Sequence, residues 1–261
     1  MKAAQEMIVM RLRSLLAFGL VVAATTLVAQ RRQRAPDALP NTPYDGKFTF
    51  VRIRYTPGGM GGEGGFGFGD PRWNHDYPRA EGHFGKLLSE LSLVPTYLGG
   101  GNVLTFDDPE LFKFPIAYLT EPGFWSVNQK ETEGMRSWLA KGGFLIVDDF
   151  VGNHWYNFET QLKVVLPDAR LIKLDVSHPV FDSFFRIESL DFYHPYFQGA
   201  HSEFFGVFED NDPTRRLMIV VNYNNDLAEY WEWSDTDFAP IELTNEAYKL
   251  GINYVVYAMT H

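Results

Sequence analysis

Gly142-Gly143-Phe144-Leu145-Ile146-Val147-Asp148-Asp149-Phe150 is the stretch that decides the fold. A helix-forming segment, Asn128 to Lys141, leads into it. Asn128 and Glu131 have the spacing of a capping pair, and Met135, Trp138 and Leu139 supply a buried face. The paired glycines stop that helix. Phe144 to Val147 is then a short continuous apolar run, as a strand covered on both faces requires, and it runs straight into two carboxylates. Parallel α/β proteins collect their chemistry where such strands end.

The same alternation extends in both directions. Phe48 to Tyr55, Phe114 to Thr120, Arg170 to Leu174, Phe204 to Glu209 and Leu217 to Tyr223 read as strands. Asp76-Tyr77-Pro78 reads as the start of a helix, with Asp as cap and Pro in the first turn, and Phe84, Leu87, Leu88 and Leu91 lie on one face. Asn157 to Leu166 and Thr244 to Met259 read as further helices. Strands alternating with helices predict an α/β domain: a mostly parallel sheet with helices on both faces and the strand ends on a common edge.

The 261 residues carry 45% apolar side chains, enough for a full core, and 16% aromatics. Arg11 and Arg13 precede an apolar run from Leu15, with small residues before Gln30, which is the pattern of a secretion signal cleaved near Ala29. The run is shorter than the roughly 20 residues that span a bilayer, so cleavage is favoured over a retained anchor. The expected layout is a signal peptide over 1–29, a polar Pro- and Arg-rich linker over 30–46 and one domain over 47–261. The protein is expected to be exported, periplasmic or secreted, and to meet a membrane only through its N-terminal segment if that is uncleaved. Cleavage would take the formal net charge from −10 to about −12. That acidity gives no electrostatic footprint for nucleic acid. The chain has no cysteine, which excludes both disulfides and a thiol nucleophile.

Three segments are expected at the carboxyl edge. The first is the glycine-rich run from Gly58 to Gly69; it lacks Gly-Lys-Ser/Thr, and Glu63 and Asp70 oppose a phosphate-binding reading. The second is Glu121. The third is Asp148-Asp149 with His154 and Trp155 close behind. Clustered carboxylates with a histidine suit a divalent cation or acid–base work, whereas the bland alternative is helix capping or pairing with arginine. Adjacent strand residues point to opposite faces, so only one of Asp148 and Asp149 faces the cleft unless the strand has already ended. Asn224, Asn225, Asp226 and Trp231 belong to a dense polar–aromatic stretch that suits sugar or peptide recognition, or else an Asx-rich turn with the indoles packed inward. Tyr193 to Tyr196 and His201 form an aromatic loop. No Gly-x-Ser-x-Gly elbow and no His-Glu-x-x-His helix occurs.

Several blocks together carry a resemblance: Trp73 to Phe84 (WNHDYPRAEGHF), Leu139 to Phe150, His178-Pro179-Val180-Phe181, Asn224 to Leu227 followed by Trp231-Glu232-Trp233, and Leu250 to His261. In this order they resemble the bacterial family catalogued as domain of unknown function 4159, from about residue 47 to the end. The resemblance implies a fold similar to the class I glutamine amidotransferases, a flavodoxin-like α/β sandwich. Those enzymes carry a nucleophilic cysteine on an elbow after a strand, and by analogy that elbow falls near Asp148-Asp149. Acids stand there instead of a thiol. Fold analogy alone assigns no reaction. The leading expectation is a non-catalytic binding or assembly protein with a protein or carbohydrate partner. The alternatives are a metal-assisted hydrolase using Asp149, Glu121, His154 or Asp226, and a carbohydrate-binding module using Trp231 and Trp233.

Overall fold

The run Phe48-Thr49-Phe50-Val51-Arg52-Ile53, rich in aromatic and β-branched residues, forms strand β1 (Phe48–Ile53), buried along its whole length. In the computed structural model, residues 38–58, 72–191, 197 and 199–261 are described. The expected signal peptide, the glycine-rich run beyond Gly58 and the loop from Tyr193 to Tyr196 lie outside the described residues.

A two-residue strand β2 (Thr56–Pro57) follows, then helix α1 (Arg79–Leu91), which buries Ala80, Phe84 and Leu88 on one face. Strand β3 (Thr96–Leu104) comes next. Its three consecutive glycines hid it from a propensity reading. At Gly101 a Cβ would lie 2.8 Å from the Phe50 carbonyl oxygen, so the close approach of β1 requires glycine there. Strands β4 (Ile116–Thr120) and β5 (Trp125–Ser126) precede helix α2 (Gln129–Ala140), whose N-terminus has both halves of the Asn128–Glu131 capping box. Strand β6 (Phe144–Asp148), helix α3 (His154–Val165), strands β7 (Ile172–Lys173), β8 (Glu203–Phe208) and β9 (Leu217–Tyr223), and helices α4 (Leu227–Glu232) and α5 (Ile241–Thr260) complete the order. Among the described residues no helix is long and apolar enough to cross a membrane.

Seven strands form one sheet in the order β3-β1-β4-β6-β9-β8-β7. Strands β3, β1, β4, β6 and β9 pair in parallel, while β8 and β7 add on antiparallel. The sheet is therefore mostly parallel, as expected. Alternation along each strand splits the core into two layers. Phe50, Tyr118, Ile146 and Val220 pack with side chains of α1, α4 and α5. Val51, Leu119, Val147 and Val221 pack with those of α2 and α3. Each fully buried Leu or Phe in these layers contributes roughly 1.5–3 kcal/mol.

Two local readings change. Leu39 to Thr42, within the stretch read as a linker, is tied to the fold: Leu39 donates to the Tyr77 hydroxyl, and Asn41 and Thr42 exchange hydrogen bonds with Val103 and Asn102 of β3. These bonds satisfy backbone groups on an edge strand that would otherwise face solvent. Leu227 to Glu232, part of a stretch read either as a recognition surface or as an Asx-rich turn, is helix α4, capped by the Asp226 carboxylate.

The parallel strands lie across the sheet in chain order second, first, third, fourth, fifth. The order therefore reverses between β1 and β4, and a crevice opens outside their carboxyl ends.

Candidate functional site

Four loops meet at that crevice. Glu121 directly follows β4, Asp149 follows β6, Asp226 follows β9, and His75-Asp76 lies in the loop before α1. Asp76, Glu121 and Asp149 have φ of 63°, 45° and 61°. Left-handed backbone is uncommon for non-glycine residues, and such strain gathers at functional sites.

The side chains converge on one another. His75 Nδ1 donates to Asp149 Oδ2 at 2.9 Å, lies 3.5 Å from Glu121 Oε1 and 4.0 Å from Asp76 Oδ1. Thr120 Oγ1 donates to Asp149 Oδ2 at 3.1 Å. One ligand-type atom from each of His75, Asp76, Asp149 and Asp226 lies within 4.8 Å of the others. His75 is the exposed member, with 45% of its side chain accessible, whereas the Asp76 side chain is fully buried.

Buried Arg52 of β1 holds the loop in place. Its Nε donates to Glu81 of α1, and Nη1 donates to the carbonyls of Trp73 and His75 at 3.3 and 2.7 Å. The Tyr55 hydroxyl donates to the Thr120 and Glu121 carbonyls, joining the ends of β1 and β4. At the rim, the Arg72 guanidinium lies over the Phe124 ring with Nη1 3.4 Å from Glu121 Oε1.

The electrostatics follow from burial and crowding. The hydrogen bond to Asp149, with the charges of Asp149, Asp76 and Glu121, raises His75 to about 10 against the effect of burial. Burial would raise Asp149, but bonds from His75, Thr120 and Asp226 outweigh it and hold the carboxyl below its ordinary value. Burial pushes Asp76 and Asp226 well up, and the charge on Asp149 adds to both. Neither Asp76 carboxylate oxygen meets an N–H or hydroxyl donor; its hydrogen-bonding neighbour is another carboxyl, Glu229, which pushes Asp76 up further. A carboxylate so placed must stay protonated or meet a cation. Oxygen ligands with one imidazole suit a divalent ion such as Mg²⁺, Mn²⁺ or Ca²⁺.

Of the residues singled out from sequence, Asp149, Asp226 and Glu121 come together here. Asp148 does not. Pleat alternation turns it to the opposite side, where it accepts hydrogen bonds from the Tyr118 hydroxyl and the backbone N–H groups of Leu227 and Ala228. Burial lifts it to about 7 even against those bonds. His154 packs its ring on Phe124 and against Gly123, and burial lowers its pKa. Trp155 stacks among Phe150, Phe158, Phe205 and Tyr223 and helps line a groove with exposed Tyr156 and half-buried Glu203. Asn224 is a clamp, accepting from Gly152 N–H and donating to the His201 carbonyl. Buried Asn225 accepts from the Asp226 N–H. Trp231 is core, packed on Phe84 and Tyr118, with no ring face left for a sugar. Trp233 is half-buried beneath the Arg79 guanidinium.

Sequence reasoning missed His75 and gave Asp76 the wrong work. The Asp76 side chain caps no helix; only its backbone carbonyl bonds to Ala80. The available signal was a His-Asp pair inside the Trp73–Phe84 block, but nothing local shows that it meets Asp149, 73 positions beyond Asp76 in sequence.

No curated protein matches the chain. The model of the family described as Domain of unknown function (DUF4159) matches residues 49–259, which contain every member of the cluster, and the chain belongs to that family.

Proposed function

We propose that this protein binds a divalent cation at the carboxyl edge of its sheet, with His75, Asp76, Asp149 and Asp226 as ligands and Glu121 beside them. The observation that carries this reading is Asp76: a fully buried carboxylate, among three other acids, with no N–H or hydroxyl donor on either oxygen. A bound cation would take over the counter-charge that protonated His75 supplies to Asp149 and Asp76, releasing the imidazole proton as His75 becomes a ligand. The metal-assisted reading thus gains over both the cation-free binding role and the sugar-binding role assigned to Trp231. A cation held there would polarise a bound water, the chemistry that metal-assisted hydrolysis requires.

The strand order, with its reversal between β1 and β4, supports a flavodoxin-like scaffold of the class I glutamine amidotransferase kind. On that scaffold Asp149, at φ 61° after β6, stands at the elbow and acids replace the thiol. The Arg11-to-Ala29 pattern supports export as part of the same proposal.

Metal analysis of the purified protein, with thermal unfolding in Mg²⁺, Ca²⁺, Mn²⁺ and Zn²⁺, tests the cation site. At 100-fold excess over Kd a cation adds about 2.7 kcal/mol, a rise of several degrees in Tm. Asp76→Asn should keep the melting temperature of the metal-free protein and abolish the rise. If no cation co-purifies and none shifts Tm, the reading is wrong. Intact mass of the protein recovered from its own cells tests export; a chain still beginning at Met1 or Met10 would overturn cleavage near Ala29.

A further inference from the structure

The acids do not stop at the first cluster. Glu229 and Glu232 stand three apart on α4 and so share one helix face. Each offers a carboxylate oxygen within 4.8 Å of the other and of Asp76. Asp76 therefore belongs to two groups: one with His75, Asp149 and Asp226, and one with Glu229 and Glu232. It is the residue whose two oxygens both lack an N–H or hydroxyl donor. A carboxylate that meets no N–H or hydroxyl donor, touches the carboxyl of Glu229 and lies between two sets of ligand atoms has the form of a bridge between two cations.

Resting on the cation reading above, we propose that the centre is binuclear, with Asp76 bridging one divalent cation held by His75, Asp149 and Asp226 and a second held by Glu229 and Glu232. Charge supports two ions over one. When ionised, Asp76, Asp149, Asp226, Glu229 and Glu232 carry five negative charges; one divalent ion leaves −3 and two leave −1. Buried Arg52 is already engaged by Glu81. The position of α4 also fits. Asp226 caps it, and Asp148 accepts from its first two N–H groups, so the helix that presents Glu229 and Glu232 is anchored to the ends of β6 and β9. Paired cations about 3.5–4 Å apart clamp the attacking and leaving oxygens of a hydrolytic displacement, which a single ion does not do.

Mn²⁺ is the probe. Equilibrium dialysis of the full chain should give two Mn²⁺ per protein, and electron paramagnetic resonance should show the spin coupling of a close pair. The double variant Glu229→Gln/Glu232→Gln should bind one Mn²⁺ and lose the coupling while retaining the cation-induced rise in Tm. One Mn²⁺ per wild-type chain, or two without coupling, overturns the binuclear centre and leaves the single site standing. No bound Mn²⁺ in wild type overturns the cation reading itself. Should the double variant fail to fold, the stoichiometry and coupling of the wild-type protein decide the matter.

Discussion

Asp148 and Asp149 are neighbours in sequence and opposites in role. Asp148 is enclosed by three donors, from Tyr118, Leu227 and Ala228, and holds α4 to the sheet. Asp149 turns into the crevice and meets His75 and Thr120. Asp148→Ala should therefore destabilise the protein by roughly 2–4 kcal/mol, because buried donors lose their acceptor. Asp149→Asn should cost less stability and should weaken cation binding at least tenfold. Urea unfolding alongside calorimetric titration with Mn²⁺ separates the two. Equal losses of stability in both variants would contradict the division of labour. The sequence showed that two acids end a strand, and the pleat rule showed that they diverge. It did not show which one faces the crevice, because that depends on where β6 stops and the left-handed turn begins.

Among the elements, the short turn after β7 has a built-in acid sensitivity. His178 Nδ1 accepts the N–H of Val180, capping the turn Pro179–Phe181, so the ring must be neutral there. Burial lowers its pKa, with Asp175 opposing and His261 reinforcing the shift. A histidine with a folded pKa below its unfolded value of about 6.5 binds its proton preferentially in the unfolded state. Stability from this group is thus complete above that value and falls as the pH drops through it. Unfolding at pH 7.5 and 5.5 should show a loss on acidification that is smaller in His178→Asn, whose side-chain oxygen keeps the cap. An unchanged pH dependence in that variant would show that His178 is not responsible. Elements with strong local signals were legible in this chain: the Asn128–Glu131 box, the apolar run of β6 and the amphipathic face of α1. Strand β3 and helix α4, which were missed, lack such signals. Strand β3 is made from glycines that suit a neighbouring backbone, and α4 is six residues long with its stability supplied by Asp148 and the core.

At the scale of the whole molecule, Arg52 couples core to crevice. It is fully buried, pairs with Glu81 beneath α1 and fixes the carbonyls of Trp73 and His75. Arg52→Met alone should cost roughly 3–5 kcal/mol by leaving Glu81 uncompensated. Arg52→Met/Glu81→Leu should recover most of that stability and still bind cations more weakly, since the loop bearing His75 and Asp76 has lost its anchor. Denaturant midpoints and Mn²⁺ affinity measured on both variants test this. Full recovery of affinity in the double variant would show that Arg52 has no part in positioning the site. The alternation of strands and helices, the acids at the end of β6 and the absence of any thiol are all written in the residues themselves, because periodicity, capping and composition are local properties. That Glu121, Asp149 and Asp226 meet His75 and Asp76, and that Trp231 and Asp148 belong to the interior, follows from the packed fold alone. The reason is that parallel pairing brings together strand ends far apart in the chain. Which side chains share a crevice is then set by strand order and by the turn in which each strand stops.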